Sequence, residues 1–276
     1  MNYRHAYHAG NFADVHKHAT LTLLLAHLRA KDSAFHVLDC HAGVGLYDLQ
    51  APEPGKTGEF RDGVARLWDV APPDPALADY LAAVAAINPE GPPRFYPGSP
   101  WLIRQALRPD DRLTCVELHP DDAARLRAHF GGDRQVSVRQ EDAYRALKAL
   151  LPPRQRRGLV LLDPPYEAAE EAQRLISGLT EALRRWPTGI YAVWYPIKAV
   201  AEAARFTAEL AQCGRPCLTS ELMQGSGEDV TRLNGSGLAL INPPWRLDRQ
   251  LTPLLPLLHD RLGCRGKTSV RWLARE

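Results

Sequence analysis

The chain of 276 residues reads as a doubly wound α/β fold, and three observations predict it. Short apolar runs alternate with helical patterns, as in a mostly parallel sheet covered on both faces. A glycine-bearing turn, Cys40-His41-Ala42-Gly43-Val44-Gly45, follows the first run. Acids close several runs: Asp39, Glu117 and Asp163 directly, and Asp142 shortly after Val136-Ser137-Val138-Arg139.

The elements follow in order. Leu21, Leu24, Leu25 and Leu28 take the i, i+3, i+4, i+7 spacing of an amphipathic helix over 12–31, with Asn11 as its N-cap. Phe35-His36-Val37-Leu38-Asp39 is a buried strand, and the glycine turn leads from it to Tyr47-Asp48-Leu49-Gln50. Residues 51–108 then interrupt the alternation. A loop at 51–58 precedes one short helix marked by Phe60, Val64, Leu67 and Trp68, and a second marked by Leu77, Tyr80, Leu81, Val84 and Ile87. Proline-rich stretches at 71–75 and 89–100 bound this helical insertion. The βα rhythm resumes with strands at 112–117, 136–139, 158–163 and 189–195, separated by helices over 120–130, 142–151 and up to about 186. A helix over 199–213 leads to two strand-like runs, 217–223 and 237–242, with no helix between them. They predict an antiparallel hairpin closing one edge, followed by a C-terminal helix.

Composition narrows the class. With 45% hydrophobic and 24% charged residues the chain is globular rather than disordered. No apolar stretch reaches the roughly 18 residues that span a bilayer, and no export signal opens the chain, so a cytoplasmic protein is expected. Five cysteines without a CxxC pair suggest neither a disulfide framework nor a zinc ribbon. The sequon Asn234-Gly235-Ser236 is read as a turn. A net charge of +2 confines any nucleic-acid footprint to local patches. Two candidates stand out: residues 1–18, with Arg4, Lys17 and four histidines, and the run Arg154, Arg156, Arg157, which reads as a solvated loop. The histidines His5, His8, His16 and His18 lack an accompanying cysteine or carboxylate set, so no metal is expected.

In such a sheet ligands bind beyond the carboxyl ends of the strands. The acids there suit a ligand rich in hydroxyl and amino donors. A dinucleotide fits poorly, because Asp48 stands at the third position of the G-x-G-x-x-G pattern begun by Gly43 and Gly45. S-adenosylmethionine, with a ribose and an adenine but no phosphate, fits better. Two strand endings are alike: Asp163-Pro164-Pro165-Tyr166 and Asn242-Pro243-Pro244-Trp245. A carboxylate and a proline carbonyl can accept the two N–H groups of a nucleobase amine, and the following ring offers a stacking surface for a flipped base. Proline fixes the course of the chain between them. The first copy lies near the glycine turn in strand order and takes the functional reading; the second is read as structural.

These motifs carry a resemblance. Asp-Cys-His-Ala-Gly-Val-Gly, Val-Glu-Leu-His-Pro, Glu-Asp-Ala and Asp-Pro-Pro-Tyr resemble the Rossmann-like class I S-adenosylmethionine-dependent methyltransferases. More closely, YRHAYHAGNFADVHKH, LDCHAGVGLYDL, TGEF, YPGSP, ELHP, LLDPPYE, GIYAVWYPI and SGLALINPPW resemble the RlmJ family of bacterial 23S ribosomal RNA adenine-N6 methyltransferases, over almost the whole chain. The resemblance implies a methyltransferase domain of residues 1–50 and 109–276, with the N-terminal segment as a lid, and an insertion subdomain of 51–108. It implies that Asp163 accepts the N6 protons, Pro164 supplies a carbonyl and Tyr166 stacks on the adenine. His18, His41, Ser99, Glu117, Asp142, Ala143 and Asp163 would line the S-adenosylmethionine pocket. Glu117 would meet the ribose and Asp142 the adenine. Tyr3, His5 and Lys17 would touch the RNA. Ala143 stands where the family carries glycine. The partner implied is 23S ribosomal RNA, free or in an early assembly form, and a monomer is expected. Asp-Pro-Pro-Tyr is also compatible with DNA adenine, cytosine-N4 or guanine-N2 targets. The fold alone would admit an NAD-linked oxidoreductase or a catalytically silent RNA-binding protein.

Overall fold

A computed structural model describes residues 4–68, 74–168, 170–225, 227 and 229–275. After a 3-10 turn at His5–Tyr7, the elements are α1 (Phe12–Arg29), β1 (His36–Asp39), β2 (Leu46–Asp48), α2 (Pro52–Thr57), α3 (Pro75–Ala85), β3 (Phe95–Pro97) and α4 (Ser99–Ala106). There follow β4 (Arg112–Glu117), α5 (Pro120–Phe130), β5 (Val136–Gln140), α6 (Ala143–Leu150), β6 (Gly158–Leu162), α7 (Glu171–Arg185) and β7 (Ile190–Ile197). The chain closes with α8 (Val200–Ala211), β8 (Cys217–Met223), β9 (Gly235–Ile241), α9 (Leu247–Arg261) and β10 (Thr268–Ala274).

Eight strands form one sheet in the order β10-β8-β9-β7-β6-β1-β4-β5, and β2 pairs with β3 in a separate antiparallel ribbon. The five strands from β7 to β5 run parallel. This is the doubly wound α/β fold that the alternating pattern predicts. Strand order reverses between β1 and β6, because the chain first builds outward through β4 and β5 and then returns to β6. The crevice that such a reversal opens at the carboxyl ends is where ligands bind.

Every residue of β6 is buried, and its side chains alternate between two cores. Leu159 and Leu161 join the layer formed with α1, α4 and α9, whereas Val160 and Leu162 join the layer formed with α6 and α7. That alternation follows from the two-residue period of a strand, and it explains why β6 reads as a continuous apolar run. Helix α1 is buried on nearly all sides, with Asn11 accepting a hydrogen bond from the Asp14 amide as its N-cap. This burial brings its polar residues Asp14, His16, Lys17 and His18 into the interior.

The structure departs from the sequence expectation at four places. The hairpin of β8 and β9 forms, but it does not close the sheet edge by itself. Strand β9 inserts antiparallel between β7 and β8, and β10, which the sequence reading left out, takes the edge beyond β8. The described residues of the connection over 224–234 form no helix, and a parallel return usually runs through one. The sequon is not a free turn: Gly235 and Ser236 open β9, and the Asn234 side chain donates to the carbonyls of Lys198 and Asp229. Within 51–108, the stretch read as a loop contains α2, and the first short helix is two 3-10 turns, Glu59–Asp62 and Val64–Leu67. In the same stretch α4 packs on α1, β1 and β4, which makes it the crossover helix between those two strands.

Candidate active site

The carboxyl ends of β1, β4 and β6 and the start of α6 enclose a cleft of about 1020 Å³, including its open mouth. Its floor is the glycine turn after β1. Gly43 has φ +58, a left-handed conformation, and a Cβ there would lie 2.5 Å from the Tyr47 hydroxyl. Only glycine fits such a position without displacing the ring.

Carboxylates ring this turn, each held by backbone or hydroxyl donors. Glu117 accepts from the Gly43 amide at 2.9 Å and from the His119 amide at 2.7 Å. Burial raises its pKa above the ordinary value despite those bonds. Asp39 is fully buried, accepts from the Ser99 hydroxyl at 2.7 Å and from the His41 amide at 3.4 Å, and is pushed up to about 7 by burial. Ser99 opens α4, so this bond fastens that helix to the end of β1. Asp142 is the N-cap of α6, accepting from the amides of Tyr144 and Arg145, and its other oxygen takes Arg174 at 2.9 Å. Ala143, the first residue of α6, is buried beside it. Arg174 also lies over the Tyr144 ring, 4.9 Å from its centroid, and the Tyr144 hydroxyl donates to Glu171 at 2.6 Å.

The Asp163 end of the cleft is organised by α1. The Lys17 ammonium reaches Asp163 Oδ2 at 2.5 Å and Asp14 Oδ1 at 2.9 Å. The Lys17 side chain is only 5% exposed, and burial alone would favour its neutral form. The two carboxylates outweigh that cost and hold its pKa above the usual lysine value. Asp14 is likewise disfavoured as an anion by burial. His5 at 2.8 Å and Lys17 overcome this and hold it well below the ordinary carboxylate range. The Asp163 amide donates to Nδ1 of His41, whose pKa burial lowers to about 4, so His41 is neutral at pH 7. His18 is lowered to about 3 by burial, and its Nδ1 shares a 2.7 Å bond with the Tyr96 hydroxyl.

The residues singled out in the sequence therefore mostly converge. His5, Lys17, His18, His41, Ser99, Glu117, Asp142, Ala143, Asp163 and Pro164 all line the one cleft. Tyr166 stands beside it rather than in its wall. Its φ is +50, its hydroxyl donates to the Trp194 carbonyl at 2.7 Å, and its ring meets Trp194 and Phe206 edge-on. Tyr3 lies outside the described residues. Lys17 does not stand out toward solvent; it is buried in the ion pair with Asp163. Sequence reasoning missed Asp14, Glu171 and Arg174, and Asp39, named there with the strand-end acids, lies fully buried behind the cleft lining, bonded to Ser99. The i, i+3 spacing of Asp14 and Lys17 on one helix was the one available signal for the first. The second proline-proline ending is not at the cleft. Because β9 runs antiparallel, Asn242 emerges at the opposite rim, where its side chain donates to the carbonyls of Pro187 and Gly189.

Donor-hungry carboxylates around a glycine turn, with a lysine-held aspartate at the far end, suit an adenosyl ligand beside a second nucleobase. Comparison with known proteins agrees in kind. Residues 32–274 match the family model described as Ribosomal RNA large subunit methyltransferase D, RlmJ. The chain is 41% identical over 279 residues to Ribosomal RNA large subunit methyltransferase J of Escherichia coli K12, and 39% identical over 280 residues to the protein of that name from Haemophilus influenzae, with all of each chain covered. A crystal structure of the Legionella pneumophila protein LPL1258 superposes with a TM-score of 0.86 at 34% identity, covering 96% of this chain and 97% of that one. The chain belongs to the RlmJ family of ribosomal RNA large subunit methyltransferases.

Proposed function

We propose that the protein methylates the exocyclic N6 of one adenine in 23S ribosomal RNA, free or in an early assembly form, using S-adenosylmethionine. The observation that carries the reading is the meeting of two motifs in one cleft: the glycine turn with Glu117, and the Asp163-Pro164 ending held by Lys17. When bound, S-adenosylmethionine supplies an electrophilic sulfonium methyl group. Each Glu117 oxygen takes one backbone N–H and keeps lone pairs for ribose hydroxyls. Asp142 would accept from the cofactor's adenine, with the buried Ala143 backbone alongside, and Ser99, His18 and neutral His41 would complete the pocket. The ion pair fixes Asp163 at the end of β6, where its carboxylate and the Pro164 carbonyl accept the two N6 protons of the target base. An amino lone pair delocalised into the ring is thereby aimed out of the stack. The proton lost after transfer leaves through Asp163 to water.

Positioning supplies most of the rate, since effective molarities of aligned groups are worth about 7 to 11 kcal/mol. Tyr166, anchored through its hydroxyl, presents its ring to the flipped base. The described stretch ahead of α1, which carries His5, closes over base and cofactor, while Lys17 acts from within α1 by holding Asp163. We assign residues 1–50 and 109–276 to the catalytic unit and 51–108 to an insertion whose last helix, α4, completes that unit by joining β1 to β4 and bringing Ser99 to the cleft. Asp163→Ala abolishes tritiated-methyl transfer to 23S RNA while leaving the protein folded by circular dichroism. Retained transfer, or a product other than N6-methyladenine on nucleoside mass mapping, refutes the assignment.

A further inference from the structure

Two sequence features find no use in the cleft: the run Arg154, Arg156, Arg157 and the turn Asn242-Pro243-Pro244-Trp245. The fold brings them together. Arg154 and Arg156 precede β6, and Asn242 is bonded to the carbonyls of Pro187 and Gly189 just before β7. Strands β6 and β7 are direct neighbours, with Leu159 opposite Ile190, so both features share the rim opposite the cleft. The Asn242 amide also donates to the Pro216 carbonyl, which ties the turn to the start of β8.

Trp245 is 79% exposed at this rim, with the Arg246 guanidinium 5.5 Å from its ring centroid. Arg185, at the end of α7, and Arg249, in the first turn of α9, are exposed on the same rim. None of Arg154, Arg156, Arg185, Arg246 or Arg249 has a carboxylate partner among the described residues. Asp248, the nearest acid in sequence, accepts from the Trp272 indole. Arg157 plays a different part, since its guanidinium donates to the carbonyls of Ser33 and Leu28.

The backbone carries a second, independent signal. Arg156 and Arg246 have φ of +52 and +61, in the left-handed region where glycine or asparagine costs less. Strain of this kind costs stability and clusters at functional sites. The identity of the partner follows from what surrounds the ring. Among the described residues the other exposed large apolar side chains, Leu118, Val200 and Val230, follow β4, β7 and β8 on the cleft rim. Among the described residues Trp245 is thus the one exposed large apolar side chain of its rim. One exposed ring among unpaired arginines is the arrangement that stacks a base and neutralises phosphates.

We propose that this rim is a second RNA-binding surface, which holds a segment of the ribosomal RNA other than the one carrying the target adenine. Trp245 stacks on an unpaired base, and Arg156 and Arg246 contact phosphates on either side.

The test uses the full chain, the single variant Trp245→Ala and the double variant Arg156→Asn, Arg246→Asn. Asparagine removes each charge while easing the backbone. Binding to an unmodified 23S transcript is measured by filter retention across a salt series, with methyl-transfer kinetics on the same transcript. Trp245→Ala should weaken transcript binding by at least about fivefold. The double variant should also flatten the slope of log affinity against log salt by about one for each phosphate no longer neutralised. KM for the transcript should rise in both while kcat, S-adenosylmethionine affinity and the melting temperature hold or improve. Transcript binding within twofold of the parent overturns the proposal, as does a loss confined to kcat. Unchanged transcript binding with weaker binding to assembled large-subunit particles would assign the ring to a protein and overturn it too. A parent enzyme that methylates no 23S RNA would instead refute the proposed function, so the two failures are separable.

Discussion

Asp39→Asn should change how stability depends on pH. Asp39 is 0% exposed at the end of β1, and burial raises its pKa from 3.8 to about 7 despite the Ser99 hydroxyl and His41 amide bonds. A raised carboxyl pKa means that the unfolded chain ionises first. The stability contributed by the neutral form is complete below pH 4 and is lost progressively until the folded protein ionises near pH 7. At 1.36 kcal/mol per pH unit this amounts to about 4 kcal/mol, or about 2 to 3 kcal/mol between pH 5 and pH 7. Asparagine keeps both bonds, with its oxygen accepting from His41 and its amide donating to Ser99, but it never ionises. The variant should therefore gain on the parent by about 2 to 3 kcal/mol as pH rises from 5 to 7, and the difference should level off above pH 8. Urea unfolding at 25 °C, followed by the fluorescence of the six tryptophans at each pH, reads this directly. Parallel profiles for the two proteins across that window would refute the reasoning, because they would mean that Asp39 is ionised in the folded state at pH 5.

Two other perturbations follow from the cleft. Lys17→Met leaves the carboxylates of Asp14 and Asp163 facing each other without their shared cation, so it should cost about 3 to 5 kcal/mol in urea unfolding at pH 7. A cost under about 1 kcal/mol would show that the pair is solvated. Gly43→Ala places a methyl group 2.5 Å from the Tyr47 hydroxyl at φ +58, and isothermal calorimetry should show S-adenosylmethionine affinity at least about tenfold weaker. Unaltered affinity would remove the glycine turn from the cofactor site.

What could be read in advance follows from the range of each interaction. The limits of β4, the N-cap of α1 by Asn11 and the strand-end acids Asp39, Glu117 and Asp163 rest on neighbours within a turn or a strand, and they appear where the pattern put them. The edge of the sheet does not. Whether β9 lies outside β8 or between β7 and β8 depends on pairing partners far apart in the chain, and the apolar run of β9 is the same in either case.

By itself the sequence determined the alternation of strands and helices, the glycine turn and the Asp163-Pro164-Pro165-Tyr166 strand ending, because each is written in adjacent residues. Only the tertiary structure decided that Lys17, 146 residues away, neutralises Asp163, and that burying α1 on nearly all sides makes this pair and its Asp14 partner an internal ion network. It also decided the fate of the two similar strand endings. A strand's direction within its sheet sets which rim its last residues reach, so parallel β6 delivers one ending to the cleft and antiparallel β9 carries the other to the opposite rim.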